Sequence, residues 1–259
     1  MSAPVFLAEP GQLSGAAPGG AYVLQGGEAR HAGVVQRRRA GERVDVADGA
    51  GVRLRCEIAA VEPGRLTLTV VDVVVEPQAS PRLVLVQALA KGDRDELAIE
   101  AATEVGVDEV VPWQAARSIV VWRGERAAKS RAKWRATVRE ATKQSRRAHV
   151  PAVAEPVDTA GLAARAAAVV AAGGVALVLH EEASVPLTEV PLPDGGPGGA
   201  AGAEVLVVVG PEGGISAEEV ERLEAAGATA VRLGPHVLRT STAGPVALAL
   251  LAARTGRWG

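Results

Sequence analysis

The stretch "EVLVVVGPEGGISAEEVERLEAAGATAVRLG", residues 204–234, decides the fold. Val205 to Val209 are continuously apolar and stop at Gly210. Such a run, rich in β-branched residues and closed by a glycine, reads as a strand buried on both faces. Ser216 with Glu219 three positions later is a capping box, so a helix starts there. Gly227 stops that helix, and "TAVRLG" begins a second strand. A fully apolar strand, a tight turn, a helix and another strand predict a parallel sheet covered by helices.

The same pattern extends in both directions. From Arg82, "RLVLVQAL" is an apolar strand. "DRDELAIEAATEVG" follows as a helix, with Leu97, Ala98, Ala101, Ala102 and Val105 expected on its buried face and Gly106 as its stop. "VDEVVPW" reads as a strand, and residues 125–145 as a long helix with Ala127, Trp134, Val138 and Ala141 inward. "VALVLH" is another strand, and the alanine-rich segment after Arg239 is the last helix.

Residues 1–76 follow a different rule. Apolar and polar residues alternate, broken at Asp48-Gly49 and Pro63-Gly64, which signals short strands joined by turns and a small barrel. "EPQASPR", residues 76–82, has two prolines and no period and serves as the linker. The expected domains are therefore 1–76 and 82–259. Residues 191–203, "PLPDGGPGGAAGA", are expected to form a mobile surface loop.

Composition narrows the function classes. No run of 18 apolar residues is present, and "MSAPVFLAEPGQ" lacks the basic and apolar regions of a signal peptide. The single cysteine, Cys56, suits a core position. His31, His149, His180 and His236 have no metal-ligand spacing. These features point to a soluble, cytoplasmic protein with no metal and no membrane partner. Net charge is −2, but Arg117 to Arg147 holds eleven Lys/Arg against Glu125 and Glu140, a local +9. Two readings stand: a polyanion site, or a solvated arginine-rich helix face.

In an open parallel sheet, ligands bind at the carboxyl ends of the strands. Three loops qualify: 179–184, 210–216 and 233–242. The second has neither the GKS/T of a P-loop nor a G-x-G-x-x-G fingerprint. The third carries Arg239 between a strand and an apolar helix. A guanidinium buried there requires an anionic or polar partner.

"VVVGPEGGISAEEV" followed by "RLGPHVLRTSTA" resembles the paired signature of the SPOUT class of methyltransferases, and within it the RsmE family. "HAGVVQRRRAGERVDVADG" (31–49), "LAIEAATEVGVDEVVPWQAARS" (97–118) and "KQSRRAHVP" (143–151) resemble further family segments, so the likeness covers nearly the whole chain. Two departures stand out: Gln36 where leucine is usual, and Ser241 where the family has glutamate. The resemblance implies a PUA-like barrel, which binds RNA, followed by an α/β domain with a C-terminal trefoil knot. It implies a homodimer that uses S-adenosyl-L-methionine to methylate N3 of a uridine in 16S rRNA.

Carried onto this sequence, the cofactor would meet Leu179, His180, Gly210, Pro211, Glu212, Gly213, Gly214, Leu233, Gly234, Val237, Leu238 and Thr240. Arg239 would stabilise the developing uracil anion. Arg37, Arg38, Arg131, Arg135, Arg139 and Arg147 would hold RNA phosphates, probing an assembled subunit by shape. Glu212, His236 or water would accept the N3 proton. The alternatives are a SPOUT enzyme acting on another RNA such as tRNA, and an RNA-binding homologue that has lost catalysis.

Overall fold

The computed structural model describes residues 3–193 and 202–258. The expected surface loop at 191–203 falls largely outside them. The chain forms two units, Met1–Gln78 with Thr142–Val150, and Ala79–Ala141 with Pro151–Gly259.

The first unit contains β1 (Val5–Leu7), β2 (Ala21–Gln25), α1 (Gly26–Arg30), a π-helical turn (His31–Val35), β3 (Arg43–Ala47), β4 (Val52–Glu62) and β5 (Arg65–Val75). They form one mixed five-stranded sheet in the order β1-β3-β4-β5-β2. Alternation decides which side is buried: Leu54, Cys56 and Ile58 of β4 and Leu66, Leu68 and Val70 of β5 meet Phe6, Leu24, Val44 and Val46. Burial, with Asp45 adding to it, pushes the Cys56 thiol up to about 12, which leaves it an inert core residue.

The expected contiguous boundary needs correcting, because 142–150 joins this unit. Val150 N–H donates to the Gly49 carbonyl at 2.9 Å, and Arg53 Nη2 to the Arg146 carbonyl at 2.9 Å. The His149 ring bonds the Glu76 carbonyl at 2.8 Å. Gly51, at φ +107°, permits this approach, since a Cβ there would lie 2.7 Å from the His149 ring.

The second unit contains β6 (Arg82–Ala88), α2 (Arg94–Glu104), β7 (Glu109–Gln114), α3 (Gly124–Gln144, its last three residues falling in unit one), β8 (Ala152–Val153), β9 (Val157–Asp158), α4 (Thr159–Ala171), β10 (Val175–Leu179), β11 (Glu204–Val209), α5 (Ala217–Ala225), β12 (Thr229–Val231) and α6 (Thr240–Arg254). The sheet is parallel throughout, in the order β12-β10-β11-β6-β7-β8, with β9 also on β7. Val84, Val86, Val178, Leu206 and Val208 pack on one face with Leu162 and Ala166 of α4 and Leu223 of α5. The other face meets α2 and α6, where a Cβ on Gly244 would lie 2.9 Å from Leu85. Helices thus cover both faces, as the unbroken apolar strands demand.

At the opposite end from the loops, charges tie the strand starts together. Arg165 forks onto Glu109 at 2.8 and 3.0 Å, and Arg82 meets Glu204 at 2.5 Å. Arg257, just past α6, forks onto Asp108 at 2.7 and 3.1 Å. Bidentate Arg–carboxylate pairs of this kind are the strong ones.

Helix α2 turns a different face inward from the one expected. Leu97 is 48% exposed, and the buried positions are Asp95, Ala98, Ile99, Ala102 and Thr103. That stripe keeps the i, i+3, i+4, i+7, i+8 period but includes two polar residues, so an apolar count chose the neighbouring face. Burial pushes the Asp95 carboxyl up to about 6, against the hydrogen bonds it accepts from the Glu96 and Ala90 backbone. The native state therefore binds this proton more tightly than the unfolded chain, and stability falls as pH rises from about 4 through about 6. Asp95→Asn keeps an acceptor and removes the charge. It should raise stability by about 1–3 kcal/mol at pH 8 and by little at pH 4. Melting temperatures at the two pH values check this; an equal gain at both would mean that the buried charge is not the cause.

Candidate active site

The loops after β10, β11 and β12 enclose a cleft of about 1770 Å³ at the carboxyl end of the sheet. Leu179 and His180 line it from the first loop. Gly210, Pro211, Glu212, Gly213 and Gly214 line it from the second, and Leu233, Gly234, Val237, Leu238, Arg239 and Thr240 from the third.

Local chemistry shapes each wall. Gly214 N–H donates to the Pro211 carbonyl at 2.9 Å, closing a tight turn that needs Gly214 at φ +73°. Ser216 and Glu219 complete the expected capping box on α5. Glu219 does more than cap: it also accepts from Ala116 N–H at 2.8 Å and from the Thr159 hydroxyl at 2.7 Å. Thr240, at the start of α6, donates to the Gly210 carbonyl at 2.7 Å and accepts from Gln87 Nε2 at 2.9 Å. Gln87 is fully buried in β6, so three elements are locked together beneath the cleft.

Glu212 Oε1 accepts from Lys91 N–H at 3.0 Å and Arg94 Nη1 at 2.5 Å. Burial opposes its ionisation, but these hydrogen bonds and the Arg94 charge hold the carboxyl below its ordinary value. Glu212 therefore ties the second loop to the β6–α2 connection. Arg117 Nη1 donates to the Gly213 carbonyl at 3.0 Å.

Arg239 departs from expectation. Its side chain is exposed, so no buried guanidinium awaits a partner. Its carbonyl accepts from Thr242 and Ala243 N–H at the first turn of α6, while its guanidinium has no partner among the described residues. The third loop runs past the strand ends before α6 begins, and that places Arg239 on the cleft wall and in solvent.

The expected RNA-binding arginines lie elsewhere. Arg131 is committed: it donates to the Ala154 and Val153 carbonyls at 2.8 Å each and pairs with Glu155. It joins α3 to β8, and the expected face of Arg131, Arg135 and Arg139 is broken at its first member. Arg135 is exposed and Arg139 half-buried. Arg37, at φ +54°, is exposed in unit one, where Arg38 pairs with Glu42 at 3.2 Å. Arg147 is half-buried in the 142–150 segment.

Gln87, Arg94 and Arg117 were missed by sequence reading. Gln87 had a signal, as the one polar side chain among Leu83 to Leu89. Arg94 and Arg117 had none, since their partners are 118 and 96 residues away.

Residues 77–252 match the family model described as an RNA methyltransferase domain. A ribosomal RNA small subunit methyltransferase E from Mycobacterium bovis is 44% identical, over 93% of this chain and 89% of that relative. The enzyme of that name from Bacillus subtilis is 30% identical over 90% of each. The chain belongs to the ribosomal RNA small subunit methyltransferase E family. A solved structure of that family from Neisseria gonorrhoeae, bound to S-adenosyl methionine, superposes with a TM-score of 0.82 at 26% identity over 98% of both chains.

The cleft's residues fit such a cofactor. Leu179, Leu233 and Leu238 offer apolar walls for a purine and for the methylene groups beside a sulfonium, and Gly234, at φ +101°, has open space where a Cβ would stand. Acidic and basic side chains both line the cleft, which suits a sulfonium zwitterion better than a polyphosphate.

Proposed function

We propose that this chain transfers the methyl group of S-adenosyl-L-methionine to N3 of a uridine in 16S rRNA of the small ribosomal subunit. One observation carries the reading: all three strand-end loops meet in one cleft whose wall bears Arg239 with no partner among the described residues. The names of the relatives support the substrate, and the bound molecule in the Neisseria gonorrhoeae structure supports the cofactor.

The cofactor, when bound, supplies an electrophilic methyl group. Leu179, His180, Gly210 to Gly214, Leu233, Gly234, Val237, Leu238 and Thr240 hold it. Uridine N3 is a poor nucleophile until it loses its proton, and negative charge then spreads over the ring. Arg239 stays protonated and cannot take that proton, but its fork of donors stabilises the anion. Glu212 is occupied by Arg94 and Lys91, which leaves His236, exposed on the third loop, or water as the acceptor.

The finer architecture follows the same reading. The five-stranded unit is a PUA-like barrel that binds RNA, built on 1–76 with the 142–150 segment added, and the rest of 82–259 is the methyltransferase domain. A trefoil knot in the C-terminal chain is part of the same proposal; it is supported by the path from β12, at the sheet edge beside β10, back to α6 packed on β6 and β11. The working state is a cytoplasmic homodimer joined through α6, where Val246 and Leu250 are exposed one turn apart.

Mass spectrometry of rRNA from a deletion strain tests the function. One methyl group should be missing from one small-subunit uridine and return with the cloned gene; loss from tRNA instead would overturn the substrate. Arg37, Arg38, Arg135, Arg139 and Arg147 remain the proposed phosphate-binding residues, with Arg131 now a brace. Arg123 and Arg126 join them, exposed and without partners among the described residues. Changing Arg123, Arg126 and Arg135 to glutamine should lower the slope of log affinity for small subunits against log salt by roughly 0.7–0.9 for each phosphate no longer neutralised. Cofactor affinity should not change. An unchanged slope would make this face merely solvated.

A further inference from the structure

The β7–α3 loop, residues 115–123, is held rigidly and yet presents an aliphatic side chain to solvent. Ala116 N–H is fixed to Glu219, and Arg117 to the Gly213 carbonyl of the cofactor loop. Gln114 Nε2 donates to the Val120 carbonyl at 3.1 Å, and Trp122 packs edge-on against Trp134 at 5.2 Å. Between these anchors Ile119 is 73% exposed. Arg117 precedes it on the cleft rim, and exposed Arg123 and Arg126 follow.

A single exposed isoleucine is ordinary. One on a loop anchored at both ends, beside the cleft and between arginines, has the chemistry of an RNA-deforming wedge. A uridine inside folded rRNA must leave its stack to reach a methyl donor, at a cost of about a few kcal/mol. Aliphatic side chains inserted between bases offset that loss, while neighbouring cations hold the phosphates. The aromatic side chains packed near this loop are committed: Trp113 and Trp134 are buried, and Trp122 is packed on Trp134. Trp258, 56% exposed, follows Arg257, which pairs with Asp108 at the opposite end of the sheet. The flanking positive charge selects RNA over a protein partner.

We infer that Ile119 is the wedge that takes the place of the target uridine in the RNA stack as that base enters the cleft. This rests on the proposed rRNA methylation.

The test is single-turnover methyl transfer to small subunits purified from a strain lacking the enzyme. Ile119→Ser should slow transfer by roughly tenfold or more, since it removes the group that offsets unstacking. Affinity for S-adenosylmethionine should stay within about threefold, because Ile119 does not line the cofactor cleft. Ile119→Leu should restore most of the rate. A photoreactive p-benzoylphenylalanine at position 119 should crosslink to rRNA bases flanking the methylated uridine. Full activity of Ile119→Ser, or a crosslink to a ribosomal protein or a second copy of this chain, overturns the inference and leaves the methyltransferase reading intact. If the wild-type enzyme also fails to methylate the subunits, the reading beneath falls, and the wedge with it.

Discussion

Arg239→Ala should lower single-turnover methyl transfer by ~10²–10³ while the Kd for S-adenosylmethionine stays within a few-fold. The guanidinium is exposed, so its removal leaves no buried group unsatisfied and the fold is untouched. Its backbone carbonyl still accepts from Thr242 and Ala243, so the first turn of α6 persists in the alanine variant. The alanine variant lacks a positive fork aimed at a charge that exists only near the transition state. The rate constant therefore carries the effect, and ground-state affinity does not. Arg239→Lys should recover only part of the rate, because an ammonium offers a point charge instead of a planar fork. Turnover by Arg239→Ala at the wild-type rate would remove Arg239 from the chemistry.

The architecture of the second unit was legible because a parallel sheet writes itself plainly. Val205–Val209 and Leu83–Val86 are apolar on both faces, and Ser216 with Glu219 marks a helix start locally. The cleft was legible for the same reason: strand ends fix where loops converge, and every residue expected there lines it. The failures share a cause as well. Asp95 and Thr103 face the interior of α2 because tertiary packing outweighed the apolar count. Arg131 was read as a surface charge because its carbonyl partners lie 22 and 23 residues on, beyond any helical period. The 142–150 segment joined the other unit through backbone bonds to Gly49 and Gly51, which leave no side-chain pattern. Arg239 was placed in the right loop with the wrong burial, since apolar neighbours in sequence do not report on a loop that turns outward.

Gly214→Val should weaken S-adenosylmethionine binding by roughly 100-fold or more, and Gly214→Asn by far less. Collision of the new side chain with its surroundings is not the reason. A Cβ on Gly214 would meet only Arg117 Nη1, at 3.7 Å. The constraint is the backbone. Gly214 sits at φ +73° and closes the turn to Pro211 through its own N–H. A β-branched residue is strained there, whereas asparagine enters the left-handed region readily. A valine would relieve its strain by opening the turn. That would shift the Gly213 carbonyl away from Arg117 and distort the wall on which the cofactor rests. The pair of variants isolates conformation from volume, since asparagine is about as large as valine. Calorimetry on both decides: equal loss would mean that side-chain bulk matters after all, and no loss in either would remove the "GPEGG" turn from the cofactor site.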